Sequence, residues 1–528
     1  MLAGSMYAQQ SGPTSTDTSQ SVDQDQTQRD ARIDLLEKKL EEMQQELLAL
    51  KKANSINRSE MHSTSAKAST PALVQPAPPA EAAGSQPAVA STLPAVVPAA
   101  STDPKDPHSE PFSFADFTWL TGNARTQDTP YATQFFTPEI RVDTNYTYDF
   151  RHPQDDTISG SSEVFRSNEV QLTQLGVGGD FHYNDVRARV MTQFGLYSQT
   201  TPRNDASTAR GQWNLADAYR YLSEAYGGYH FHAQHGVNVD AGIFMSYVGL
   251  FSYYQFDNWA YQPSYVSSNT PWFFNGVRVQ WFPTAKLKIE PWFINGWQSY
   301  GRFNGRPGFG GQVLYRPNGK WSILGNQYAF GRDALGVAKR TRYHSDDSIE
   351  YKYYDEHLSR HISKAAMTLT GDIGCETGGG VSCFGDTKSG PKQSFLGFMA
   401  YNRVWFDRDK YALTLGGGRI NNPGRYLVLL PPINGATAAS GTPYFTENPG
   451  DPYKAWDTSV TTDYMPNQYF TYRLEYNHRA ANVPYFSGPG GVTPPGGNTG
   501  TPGSLVPGWA PDLRNSENRV TGAFLVKF

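Results

Sequence analysis

Sixteen stretches of alternating apolar and polar residues, joined by connections that are long and short in strict turn, constrain this chain more than any other feature. The period-two stretches fall at 134–150, 167–181, 185–196, 218–231, 236–247, 272–282, 286–296, 308–316, 320–330, 343–355, 362–371, 394–406, 410–418, 455–463, 468–477 and 518–528. Seven connections are short: Tyr183-Asn184, Ala233-Gln234-His235, Pro283-Thr284-Ala285, Pro317-Asn318-Gly319, Glu356 to His361, Asp407-Arg408-Asp409 and the turn around Met465-Pro466-Asn467. Eight long loops lie between them. Fifteen connections are what sixteen antiparallel strands require. Short turns at one rim and long loops at the other are the pattern of an outer-membrane barrel, and a water-soluble sandwich has no reason to obey it.

The strand faces agree. Val186, Ala188 and Val190 alternate with Arg187 and Arg189, and Val277, Val279 and Trp281 alternate with Arg278 and Gln280. Leu287 and Ile289 oppose Lys286, Lys288 and Glu290; Tyr472, Leu474 and Tyr476 oppose Arg473, Glu475 and Asn477. Charges on so many polar faces, with aromatics near strand ends, predict polar side chains inside and apolar ones outside. The fold class expected is all-β: a transmembrane, antiparallel, up-and-down barrel of about 16 strands.

Composition excludes other classes. All 11 Trp, all 29 Phe and 31 of the 32 Tyr lie after residue 111. No run reaches the roughly 18 apolar residues of a membrane-spanning helix. Residues 1–111 carry 9 basic and 14 acidic side chains and the rest 36 and 35, so no part has the basic excess that nucleic-acid binding needs. The two cysteines, Cys375 and Cys383 in CETGGGVSC, suit one loop-closing disulfide in an external loop; two unpaired thiols are the other reading.

The segments before the barrel differ from it. Residues 1–28 read as the tail of a signal peptide, MLAGSMYA, followed by a polar disordered stretch, with the start of the full signal expected upstream. Over 29–54, Ile33, Leu36, Leu40, Met43, Leu47 and Leu50 fill alternate a and d positions of a coiled-coil helix, with Arg32–Glu37 and Glu46–Lys51 as charge pairs between parallel neighbours. Leu35 and Leu48 beside the seam lean towards three strands, and thus a homotrimer. Residues 55–111 form a disordered Pro/Ala/Ser-rich spacer, and 112–528 the barrel. Residues 112–133 precede the first strand and are open to three readings: a plug, an extra strand or a lead-in.

No enzymatic constellation emerges, and no cofactor is implied. His357 and His361 have metal-ligand spacing but fall in a short turn, His230 and His232 read as rim residues, and Gly416-Gly417-Gly418 opens no helix. The chemistry lies in the polar face. Turned inward it lines a pore with Arg187, Arg189, Arg220, Arg278, Lys286, Lys288, Lys352, Arg403 and Arg473 against Glu224, Asp240, Glu290, Glu350 and Glu475. Nine basic to five acidic groups predict a mildly basic lumen. The alternative is that these charges pair across strands and only hold the wall.

The chain ends Thr521-Gly522-Ala523-Phe524-Leu525-Val526-Lys527-Phe528, with Phe524, Val526 and Phe528 on one face. This resembles the outer-membrane assembly signal, with Gly522 one place early. FSFADFTWLTGNAR (112–125), DAGIFMSYVGLFSYYQFDNW (240–259), NTPWFFNGVRVQWFPT (269–284), KIEPWFINGWQSYG (288–301) and RLEYNHRAANVPYF (473–486) carry a resemblance to the OmpL-like β-barrel porin family across 112–528. The resemblance implies a Gram-negative outer-membrane barrel of pore function. The coiled coil and spacer are similar in layout to those of trimeric dicarboxylate-type porins, a likeness that transfers no substrate.

In general porins the third long loop folds into the lumen, so by resemblance Phe251, Tyr253, Tyr254, Asp257 and Trp259 of loop 248–271 become candidates for a constriction. An aromatic cap on the external rim, or a contact between protomers, are the other readings. The function expected is passive diffusion of small hydrophilic solutes, with outer-membrane lipids as the other partner and the coiled coil in the periplasm. The competing expectation is a structural tether, a plugged barrel linking outer membrane and cell wall.

Overall fold

The structure, a computed structural model, describes Lys38 and residues 109–528 apart from 162–163, 206, 208–210, 252, 303–305, 332–338, 427–432, 437–443 and 446–450. The expected coiled-coil helix and nearly all of the spacer lie outside the described residues.

Strands run in chain order as β1 (Phe136–Asp149), β2 (Val170–Tyr183), β3 (Val186–Thr192), β4 (Leu222–Phe231), β5 (Val237–Met245), β6 (Phe273–Thr284), β7 (Leu287–Ile294) and β8 (Gly308–Tyr315). They continue as β9 (Trp321–Gly331), β10 (Thr341–Asp355), β11 (Ile362–Thr377), β12 (Ser394–Phe406), β13 (Tyr411–Asn421), β14 (Lys454–Asn467), β15 (Phe470–Ala481), β16 (Phe486–Ser487), β17 (Leu513–Arg514) and β18 (Ser516–Lys527). Sixteen of these form one closed antiparallel barrel in which each strand pairs with its sequence neighbours, and β18 closes the sheet between β15 and β1. Each corresponds to one alternating stretch of the sequence. The two-residue strands β16 and β17 pair with each other inside the last long loop, a ribbon too short to leave a period in the sequence.

Tight turns are made by residues that tolerate left-handed backbone. Asn184 has φ 50° between β2 and β3, and Asp407, Arg408 and Asp409 have φ 47°, 56° and 69° between β12 and β13.

The wall is polar inside and apolar outside. Along β14, Asp457, Ser459, Thr461 and Asp463 are buried while Trp456, Val460 and Tyr464 are exposed. Along β1, Arg141, Asp143, Asn145, Thr147 and Asp149 point inward. Exposed Tyr183, Phe231, Trp281, Tyr315, Tyr411 and Tyr464 ring the short-turn rim. The C-terminal residues join that rim: Phe528 stacks on Tyr469 and Phe524 packs edge-on against Tyr472, while Val526 lies opposite Val142. No described helix is long and apolar enough to cross a membrane.

Three expectations about position need correction. Arg220 is not on a strand: Asn214 caps a short helix, Leu215–Tyr219, by accepting the Asp217 N–H, and Arg220 sits at its C-terminal end paired with Asp217 at 3.3 Å. Lys286 lies in the turn before β7, its ammonium 5.4 Å from the Phe114 ring centroid. Cys375 lies within β11, which extends to Thr377, and only Cys383 is in the loop beyond.

The two cysteines are joined by a disulfide, with Cα atoms 5.1 Å apart. A membrane-impermeant thiol reagent should therefore label whole cells only after reduction. Labelling without reductant would contradict the bridge, and labelling only after lysis would contradict an outward long-loop rim.

Candidate channel lumen

Sixteen strands enclose more space than their own side chains fill. Two segments occupy it. The first is the long loop between β5 and β6, rich in aromatics and poor in charge, which turns into the barrel. Phe251, Tyr253, Tyr254, Asp257 and Trp259, the constriction candidates, are all buried there. The rim-cap reading of this loop therefore falls.

The wall holds the loop by its carboxylates. Glu475 accepts the backbone N–H groups of Tyr261 (2.6 Å) and Gln262 (2.8 Å), and Asp457 accepts the Ser264 hydroxyl (2.8 Å) and the Tyr265 N–H (2.9 Å). Tyr254 donates to Glu224 at 2.9 Å and Tyr261 to Asp143 at 2.8 Å. Asp257, the loop's one charge, pairs with Arg141 of β1 at 2.7 Å. A charge-assisted bond at every corner keeps the loop from swinging out.

The second segment is residues 109–125, which form no barrel strand and lie in the lumen as a plug, with Phe112, Phe117, Trp119, Leu120 and Gly122 buried. Residues 126–128 and 131–133 are exposed, and the extra-strand reading of 112–133 therefore falls. It enters at the short-turn rim, where the Phe112 N–H donates to the Ala285 carbonyl at 2.8 Å. Phe112 and Phe117 lie under the Arg316 guanidinium at 5.0 and 4.5 Å, and Trp119 under the Lys352 ammonium at 5.8 Å. Such cation–π contacts let aromatic rings pack against a charged wall. Burial raises the Asp116 carboxyl, but the Thr118 N–H and hydroxyl and nearby Arg125 outweigh it and hold the group below its ordinary value.

Plug and loop meet at Asp257. Its backbone carbonyl accepts the Gly122 N–H at 2.9 Å, and its carboxylate accepts the Asn123 amide at 2.7 Å. The Gly122 carbonyl in turn accepts from Arg403 (3.0 Å) and Arg473 (3.3 Å). A Cβ on Gly122 would stand 1.9 Å from the Asn258 carbonyl oxygen, so only glycine fits.

Most of the expected pore-lining charges are engaged in ion pairs. Arg187 and Arg278 share Asp240 at 3.3 and 3.0 Å. Arg189 reaches Glu139 (2.8 Å), Asp180 (2.9 Å) and Glu224 (3.1 Å). Lys288 pairs with Glu290, Lys352 with Asp355 at 2.5 Å, and Arg403 and Arg473 both with Asp463 at 2.6 Å. Glu350 is buried on the same inner face as Lys352.

The sequence reading missed Asp463, Arg141 and the buried arginines Arg316, Arg342, Arg479 and Arg519, all on the same inward register. Extending the alternation to every strand would have found them. Among the described residues, buried side chains include fourteen Arg or Lys and fifteen Asp or Glu; Arg220 and Lys286, two of the nine basic groups expected in the lumen, are not among them. His357 and His361 are exposed in the turn between β10 and β11, and no cluster of three metal-ligating side chains occurs among the described residues. His230 bonds Asn238 and His232 bonds Asp185 at the short-turn rim.

Solved structures with a similar fold include the anion-selective porin of Comamonas acidovorans (10% identity, TM-score 0.44, covering 74% of this chain and 99% of that one). The outer-membrane channel DcaP of Acinetobacter baumannii matches at 12% identity and TM-score 0.42, over 74% of this chain and 97% of its own. OprD of Pseudomonas aeruginosa matches at 10% identity and TM-score 0.36, over 77% and 99%. No curated protein sequence matches the chain. The family model described as "Putative beta-barrel porin-2, OmpL-like" matches residues 140–522, nearly the whole barrel. With that match joined to a closed, polar-lined, sixteen-stranded wall, the chain belongs to this family of outer-membrane porins and is a channel protein, not an enzyme.

Proposed function

We propose that the protein is a passive diffusion channel for small hydrophilic solutes. The observation that carries this reading is the lumen itself: a wall lined by charged and polar side chains, narrowed by an inward loop that the wall holds at fixed points. Transport through such a path needs no nucleotide or redox partner. The buried charges are close to balanced in number, so the field along the path is weak overall and discrimination rests on local groups and on width. Liposome swelling tests this: the purified full-length protein should admit small sugars and exclude larger oligosaccharides. Equal exclusion of all sugars would contradict it.

A second reading, a plugged barrel that tethers the outer membrane to the cell wall, draws support from residues 109–125 filling one end of the lumen. In either case the heptad segment 29–54 gathers copies of the chain, as a periplasmic trimeric coiled coil. Removing residues 9–60, or placing a carboxylate in the seam with Leu40→Asp, should lower the oligomer mass in mild detergent and leave the barrel folded. Unchanged mass would show that the barrel walls suffice.

A further inference from the structure

The outer wall carries a carboxylate within its apolar band on β10. On β10 the residues facing away from the lumen are Tyr343, Ser345, Asp347, Ile349 and Tyr351, and Asp347 is exposed among them. Its carboxylate accepts the Ser345 hydroxyl (2.9 Å), the Asn326 N–H (3.2 Å) and the amide of exposed Gln327 (3.4 Å). Glycines surround this polar group. Gly325 and Gly371 flank Asp347 across the two neighbouring strands, and Gly311 lies opposite Gln327. A Cβ at Gly371 would meet nothing within 4 Å, so the wall is hollow there.

The patch lies within the apolar band and not at its edge. Ile349 and Leu369 lie on its short-turn side, and Ile373 on its long-loop side, all exposed. Asp347 is four residues beyond Tyr351, which stacks on Trp321. At ~3.3 Å rise and ~45° tilt that is roughly 10 Å into a band about 25 Å tall. A carboxylate facing lipid at that depth is costly, whereas small residues with a polar group are what intramembrane contacts between protein surfaces use.

We infer that this patch is a contact between copies of the chain, in which Asp347 of one copy meets Arg419 of the next. Arg419 also faces outward, exposed on β13 beside Trp456. It follows Asp347, Gly371 and Phe398 in one register row, three strand spacings or ~14 Å away, too far to pair within a chain. Opposite charges separated along one wall suit a cyclic assembly, where each copy presents one patch to each neighbour. Asp347 stands about 14 Å above rim residue Tyr353, and Arg419 about 19 Å above rim residue Tyr411, a gap that an arginine side chain bridges.

The test is a cysteine pair, Asp347→Cys with Arg419→Cys, in the full-length protein oxidised in the outer membrane, with the native disulfide left in place. Disulfide-linked multimers should appear on non-reducing gels, and neither single variant should form the ladder. An intramolecular bond between these positions is excluded, because disulfides need Cα atoms within about 7 Å. Charge exchange gives an independent arm. Asp347→Arg and Arg419→Asp should each lower the oligomer fraction, and the double exchange should restore it. A ladder-free double-cysteine protein, no recovery in the exchanged double variant, or quenching of a fluorophore at position 347 by brominated lipid would each overturn the inference.

Discussion

Replacing Arg187, Arg189 and Arg278 together with Gln should move the reversal potential under a salt gradient clearly towards cation preference. These three guanidiniums neutralise Asp240, Glu139, Asp180 and Glu224 on one side of the lumen. Glutamine keeps bulk and hydrogen bonding while leaving Asp240, Asp180 and Glu224 without these counter-charges and Glu139 with Arg141 alone. Because the wild-type lumen holds nearly equal numbers of buried cations and anions, removing three cations shifts the balance to one sign. External salt screens only beyond about 8 Å at physiological strength, so the change is felt inside the lumen. The variant should also lose its folded, heat-modifiable form at lower temperature, since stripping one partner from a buried pair costs about 3–5 kcal/mol. An unchanged reversal potential would mean that the external loops set the field.

Gly122→Val should raise single-channel conductance several-fold without removing any part of the chain. The added Cβ cannot share space with the Asn258 carbonyl, so the plug must leave its contacts with Asp257, Arg403 and Arg473. A sixteen-stranded wall without an insert leaves an aqueous channel. Deleting residues 109–125 should have the same effect, and agreement between the two separates plug displacement from damage to the wall. Equal conductance in wild type and both variants would place the narrowest point wholly in the loop between β5 and β6.

The barrel was legible because a wall between water and lipid must alternate, and every barrel strand obeys that rule over most of its length. Its exceptions arise where another local preference wins. Asn214 starts a helix that removes Arg220 from β4, and β11 runs past residue 371, where the alternating stretch ends, to take in Cys375. Lumen contents were legible in kind but not in place. The inward course of the β5–β6 loop follows from the porin resemblance and the stretch 112–133 is open in sequence to three readings, and only the fold brings Gly122 to Asp257 across more than a hundred residues. Pairing was hidden as well: Asp463 joins Arg403 and Arg473 from three different strands, and Arg141 joins Asp257 from a loop. Asp347 contradicts the pattern outright, and a two-faced reading counts it as noise.

The most direct measurement of the central claim is the current carried by the full-length protein in a planar lipid bilayer. A polar-lined, loop-narrowed lumen predicts discrete, ohmic conductance steps that grow in the Gly122→Val variant. A full-length protein and a Gly122→Val variant that both insert and remain silent would contradict the channel and leave the tether.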